Sequence, residues 1–303
     1  MQVVVIGAGG GLGRNVVDAA LAAGHAVRAI VRDPARAGLP SGVEMVRADA
    51  RNGTELGRAI GRAGAAFFCV NPRFKRWLDE FPQLLEAAID ACRDTGVRLV
   101  FPANVWIYGA ARPEQEIDER RPATPTSKRG ALRARMEAKL RMSGARYCVV
   151  RLPEFYGPHV VSLTARVFLA AIRHDAVLWP GPRDVAVEFV YMPDAARALV
   201  EVGTAPDTDG ETFHVPGART TPGRFIRAVG EAAGRVPRML TVPPLLLRLR
   251  GVGDIAHLWT APVLLDGSKY VQCFGSVPMT PYAQAIPATL EWYRAHQGIE
   301  LQG

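Results

Sequence analysis

The stretch VVVIGAGGGLGRNVV, Val3 to Val17, decides the fold. Its first four residues form an apolar run of strand length, and the residues from Arg14 onward continue as an amphipathic helical pattern. Between the two, Gly7, Gly10 and Gly13 stand at GxxGxxG spacing. A turn that bends sharply, lets the backbone approach a pyrophosphate and packs a helix start against a strand leaves no room for side chains there. A tight turn alone would also use glycine. The surrounding context decides for a dinucleotide loop: a strand before it, a helix after it, and a second strand, HAVRAIVRD, ending about 20 residues further on.

Outward from this loop, QVVVIG, AVRAIVR, VEMVRAD, AAFFCV, RLVFPAN and RYCVVRL read as strands. They alternate with the helical patterns GRNVVDAALAAG, GTELGRAIGRAG and WLDEFPQLLEAAIDACRDTG, the last two expected to end at their final glycines. Such alternation predicts an α/β fold with a doubly wound parallel Rossmann sheet. Past Pro158, turns such as WPGPRD and APDTDGE break the rhythm, as in a smaller C-terminal substrate-binding domain. The expected division is a nucleotide-binding Rossmann domain over residues 1–158, with 184–204 returning to it, and a cap over 159–183 and 205–303.

The 303 residues, 49% hydrophobic and 22% charged, suffice for a large core and more than one domain. No apolar run reaches the roughly 20 residues of a spanning helix, and the chain opens into a strand rather than a charged leader, so a cytoplasmic protein without membrane partners is expected. The four cysteines, Cys69, Cys92, Cys148 and Cys273, lack metal or redox spacing and read as free thiols, with no metal site. The 37 basic residues are dispersed, so the net charge of +8 reads as solvation plus an anionic small ligand rather than a nucleic-acid footprint. A monomer or a homodimer fits equally.

The second strand ends in Arg32 and Asp33. A carboxylate there would accept the ribose 2′-hydroxyl of NAD, whereas an arginine pairs with the 2′-phosphate of NADP. Arg32 comes first, and Arg14 and Arg36 could add charge, so NADP is expected and NAD is the lesser alternative. Asp49, ending VRAD, either accepts from the adenine amino group or caps the following turn.

The ordered set GAGGGLG, VRDP, RAD, FPANVWIYG, VVRLPEFYGP and VEFVYMPDAARALV resembles the extended and atypical short-chain dehydrogenases/reductases, in the NAD-dependent epimerase/dehydratase-like branch, over essentially the whole chain. The resemblance implies a Rossmann domain, a C-terminal substrate domain and a cleft between them. It also implies a catalytic serine or threonine before a helix carrying Tyr-x-x-x-Lys. Asn104, Arg129 and Arg133 stand at the matching positions, and none of the seven tyrosines has lysine four residues on. Arginine cannot replace tyrosine as an acid, because it stays protonated to above about pH 12. In the helix TSKRGALRARMEAKL, Arg129, Arg133, Met136 and Leu140 share one stripe, which turns both arginines inward and, by the resemblance, toward the cleft. PANVWIYG followed by SKRGALRARM resembles a subgroup with asparagine in the strand motif and a basic Lys/Arg-Gly-x-x-Arg run. There Arg133 can donate to a ribose or substrate oxygen, Lys128 offers an ammonium and Asn104 can bind a carbonyl.

Glu154 stands where the family often carries a substrate-touching asparagine. It either titrates in the cleft as acid or base, or pairs with Arg129 or Arg133. Tyr108, of the family's VYG position, either packs or touches substrate, and Tyr156 and His159 follow Glu154 on the same loop. Asn71, with Phe74 and Trp77, lies beyond the fourth strand, at the sheet edge where nicotinamide and substrate would meet. Tyr191, Trp179, Trp259 and Tyr270 pack or line an apolar substrate pocket. Cys69 ends an apolar run and reads as core. These residues suit an NADPH-dependent reductase for a small, partly apolar carbonyl, enone or imine compound. A non-redox isomerase, cyclase or lyase, or an NADP-sensing regulator, would use the same scaffold.

Overall fold

The computed structural model describes residues 1–112, 115–242, 246–247 and 257–296. The first half of the chain runs β1 (Gln2–Ile6), α1 (Gly11–Ala22), β2 (Ala26–Val31), α2 (Pro34–Ala37), β3 (Glu44–Arg47), α3 (Gly53–Ile60), β4 (Ala65–Phe68), α4 (Trp77–Thr95) and β5 (Arg98–Asn104). Next come β6 (Glu116–Ile117), α5 (Lys128–Met142), β7 (Tyr147–Leu152), β8 (Glu154–Tyr156), α6 (Leu163–Arg173), β9 (Val177–Trp179) and β10 (Val187–Tyr191). The remainder holds α7 (Met192–Thr204), β11 (Thr212–His214), β12 (Ala218–Thr220), α8 (Pro222–Ala233), β13 (Met239–Thr241) and β14 (Leu264–Leu265), with further helices at His257–Thr260, Ser268–Phe274 and Tyr282–Ala295.

Seven strands form one sheet in the order β11-β7-β5-β4-β1-β2-β3. β1 pairs in parallel with β2 and β4, and β2–β3 and β4–β5 are parallel as well. The order therefore reverses beside β1, the switch point of a doubly wound sheet. Val3, Val4, Val5 and Ile6 are wholly buried, which is why β1 reads as an unbroken apolar run instead of an alternating one. Helix α3 stops at Gly61, whose N–H bonds to the Gly57 carbonyl, and not at Gly64 as the pattern GTELGRAIGRAG suggested. A left-handed φ of 60° at Gly61 breaks the helix one turn early.

The chain divides into two compact units. One comprises Met1–Ala103, Arg135–Arg151 and Ala195–Phe213, the other Asn104–Ala134, Leu152–Asp194 and His214–Gly303. In the first, Phe68, Phe81 and Phe101 pack together and Trp77 stacks on Phe81 at 4.5 Å. The same unit buries an ion pair, Arg151 with Glu137 at 2.7 Å, linking β7 to α5. In the second, β8 and β12 flank β10, and Phe168, Phe225 and Tyr293 join α6, α8 and the helix Tyr282–Ala295. Two-stranded pairs β13–β9 and β14–β6 complete its strands among the described residues.

Candidate functional site

At the end of β1 the chain turns through Gly7 at φ 84°, where a Cβ would lie 2.9 Å from the Val70 side chain. Its N–H bonds to the Ile30 carbonyl of β2 at 3.0 Å, and Gly10 N–H bonds back to the Gly7 carbonyl at 3.0 Å. A Cβ on Gly13 would overlap that same carbonyl oxygen. Gly10 is different: it is exposed and forms the N-cap of α1, with no capping side chain and no acid in the first turn. The leading N–H groups of a twelve-residue helix thus carry their partial positive charge with no side-chain acceptor, a setting that favours an anion. A dinucleotide pyrophosphate fits this cradle.

Beside the loop, Arg32 at the end of β2 is exposed and in no ion pair among the described residues. Asp33 instead caps α2, accepting from Ala35 N–H at 3.2 Å, and lies 3.4 Å from Arg36. Arg14 does not extend toward solvent. It donates to the carbonyls of Gly9, Gly38 and Ala37. Asp49 accepts from the side chain of Arg51 at 2.8 Å and from its N–H at 3.0 Å, and the Arg51 hydrogen bonds hold its carboxyl below the usual range. This is the turn-closing arrangement. Asn71 is exposed, and its amide oxygen accepts from the buried Trp77 indole at 2.9 Å, while Phe74 begins a short 3-10 helix. Cys69 is buried and desolvation pushes its thiol far up, which suits packing and not nucleophilic attack.

The second unit holds most of the residues expected to do chemistry. Asn104 caps a 3-10 turn, Val105–Tyr108, by accepting from Trp106 N–H at 3.2 Å. Ser127 caps α5, its hydroxyl accepting from Gly130 N–H at 3.0 Å. A Cβ at Gly130 would overlap the Trp106 carbonyl, so the glycine of the basic run lets the helix start sit directly on the turn that Asn104 caps. Arg129 is half-buried, and Arg133, Met136 and Leu140 are buried, as their common stripe predicts. Tyr108 is 3% exposed and packs with Ile107, Ile117, Val263 and Leu265. Its hydroxyl lies 2.7 Å from His214 Nε2, and His214 Nδ1 lies 3.0 Å from the Ile117 carbonyl. A carbonyl only accepts, so His214 Nδ1 carries a proton toward Ile117. His214 was not among the expected residues, because nothing in TFHVPG marks it.

Glu154 opens β8 opposite Phe189 of β10. Burial pushes its carboxyl up to about 7, against a hydrogen bond from Ser162 that lowers it. Tyr156 is buried among Phe168, Tyr191, Phe225 and Tyr282, with Tyr191 at 5.3 Å between ring centroids. His159 adopts φ 64° and lies 4.5 Å from the Trp292 ring. Trp179, Trp259 and Tyr270 are buried, the two tryptophans edge to face at 5.5 Å. Glu188 escaped sequence reasoning: it is buried on β10, accepts from Leu265 N–H and Arg219, and is pushed up to about 7 by desolvation.

A parallel sheet whose strand order reverses beside a glycine loop and an uncapped helix defines a dinucleotide-binding Rossmann protein. The chain belongs to the NAD(P)H-binding family, whose model matches residues 7–160. Among solved structures it is similar to UDP-glucose 4-epimerase of Thermus thermophilus in complex with NAD, at 23% identity and a TM-score of 0.78 over 97% of this chain and 99% of that one. It is also similar to a dTDP-glucose 4,6-dehydratase from Streptomyces venezuelae, at 19% identity and a TM-score of 0.81 over 98% of each chain. UDP-glucose 4-epimerase of Thermotoga maritima gives 19% identity and a TM-score of 0.80 over 98% of this chain and 100% of that one. These likenesses establish the epimerase/dehydratase-like fold. A comparison with curated proteins gave no match. Among the described residues no helix is long and apolar enough to cross a membrane.

Proposed function

We propose that the chain is an NADPH-dependent reductase-type oxidoreductase acting on a small, partly apolar carbonyl, enone or imine compound. The observation that carries this reading is the glycine loop at the uncapped start of α1, a cradle for the pyrophosphate of a hydride-carrying dinucleotide. Glu154, whose carboxyl burial pushes up to about 7, is the proton donor assigned with it. A group so poised can supply the proton that the Tyr-x-x-x-Lys pair would supply elsewhere in the family. NADP is favoured over NAD by the exposed Arg32, because Asp33 is engaged at the start of α2.

The glycine loop and the first turn of α1 would hold the pyrophosphate, and Arg32 the 2′-phosphate. When bound, NADPH supplies the hydride. Arg133 and Asn104 donate to the substrate oxygen or the nicotinamide ribose, and Arg129 adds positive charge where negative charge develops. Glu154 gives its proton to the atom left electron-rich and regains one from solvent. Tyr156, His159 and Tyr191 bound the substrate, and Tyr108, through His214, steadies the turn that carries Asn104. A cytoplasmic setting fits this reading.

The same carboxyl, when ionised, is a base, which favours a non-redox isomerase, cyclase or lyase as the second reading. NADPH oxidation followed by absorbance over a panel of carbonyl, enone and imine compounds separates the two. Turnover should consume one NADPH per product and fall about 100-fold or more in Glu154→Gln. Product formed without NADPH loss would transfer the case to the second reading, and an unchanged Glu154→Gln rate would remove Glu154 from the chemistry.

A further inference from the structure

We infer that Arg14 is a positioning residue for cofactor choice: it clamps the glycine loop to the end of α2 and so fixes the arch, residues 32–38, that presents Arg32 to the 2′-phosphate. The inference rests on the NADP reading above. Three hydrogen bonds build the clamp. Arg14 Nε donates to the Gly9 carbonyl at 3.2 Å, one terminal nitrogen to the Gly38 carbonyl at 2.8 Å, and the other to the Ala37 carbonyl. Gly9 belongs to the loop, whereas Ala37 and Gly38 close the far end of the arch.

The near end of the arch is set by β2 and by Asp33, which caps α2 through Ala35. α2 is only four residues long, too short to hold its own shape, so its far end is held by the burial of Ala37 and by the clamp. Gly38 sits at φ 54°, ψ 45°, and this left-handed backbone turns its carbonyl into the Arg14 fork. An alanine there would meet nothing closer than the Arg14 guanidinium at 3.7 Å, so its effect is backbone strain and not a clash. With all three of its nitrogens on backbone carbonyls, Arg14 acts as a planar brace and is not the phosphate ligand. A lysine would keep the charge but could brace only as a point donor.

This separates position from charge. The full-length protein and its Arg14→Lys and Gly38→Ala variants are titrated calorimetrically with NADPH and with NADH. Wild type should bind NADPH at least about tenfold tighter than NADH. Both variants should lose most of that ratio through weaker NADPH binding, with NADH affinity held within about twofold, although Gly38→Ala changes no charge and Arg14→Lys keeps one. If Arg14→Lys retains the wild-type ratio, charge and not bracing is the cause, and the inference fails. It fails too if NADH affinity drops in parallel, since the clamp then serves the whole loop. A wild type without preference overturns the NADP reading itself, a separate failure from that of the variants.

Discussion

The environment of Glu154, not its sequence neighbours, sets its proton affinity. The folded carboxyl titrates at about 7 in place of 4.5, so the folded state binds its proton more tightly than the unfolded chain does. Its contribution to stability is complete below about 4.5 and is lost as pH rises through about 7. Melting temperatures should therefore fall between pH 5 and pH 8, and fall less in Glu154→Gln, whose amide does not titrate. Part of the fall should persist in that variant because Glu188 is raised in the same way. As the proton donor, Glu154 should also make kcat for reduction decline above about pH 7, as rate profiles recorded from pH 5 to 9 would reveal. For Arg32, loss of a charge-assisted pair to the 2′-phosphate predicts that Arg32→Ala weakens NADPH binding by about 1.5 to 3 kcal/mol and leaves NADH nearly untouched. Equal losses for both nucleotides would contradict that role.

Among the elements, the glycine loop separates folding from binding within a few residues. Gly13 packs on the Gly7 carbonyl, so Gly13→Val should prevent or severely weaken folding, as circular dichroism would report. Gly10 is exposed at the helix start, so Gly10→Val should fold and lose nucleotide. Retained binding would mean that the loop is only a turn. Helix α5 divides in the same way between its ends. Toward its C-terminus, Glu137 is buried against Arg151, and Glu137→Ala should cost about 3 to 5 kcal/mol in chemical denaturation, because it removes the carboxylate paired with a buried guanidinium. The inward stripe of α5 was legible, since Arg129, Arg133, Met136 and Leu140 recur at helical period. The Glu137–Arg151 pair was not, because a partner on another element leaves no mark in either element's period. Tyr108 and His214, 106 residues apart in sequence, were hidden for the same reason.

For the whole molecule, strands with unbroken apolar runs and glycines at fixed offsets made the Rossmann sheet readable in advance. Its β3-β2-β1-β4-β5 order follows from right-handed crossovers, which leave few alternatives. The later segments were less readable. β8, β9, β12, β13 and β14 are two or three residues long, shorter than a hydrophobic period needs to declare itself. TFHVPG, grouped with the cap by its neighbours, supplies β11 at the edge of the large sheet. The short strands and turns of the second unit carry the weakest sequence signal, while the glycine loop lies in the first. The proposed reaction is hydride transfer from NADPH to a compound protonated by Glu154. Incubating the protein with NADPH deuterated at the transferring position, together with the carbonyl, enone and imine panel, tests it most directly. The product should be one deuterium heavier, form in step with NADPH loss and be strongly reduced in Glu154→Gln. A product carrying no cofactor deuterium, or a labelled product formed equally well by Glu154→Gln, would contradict it.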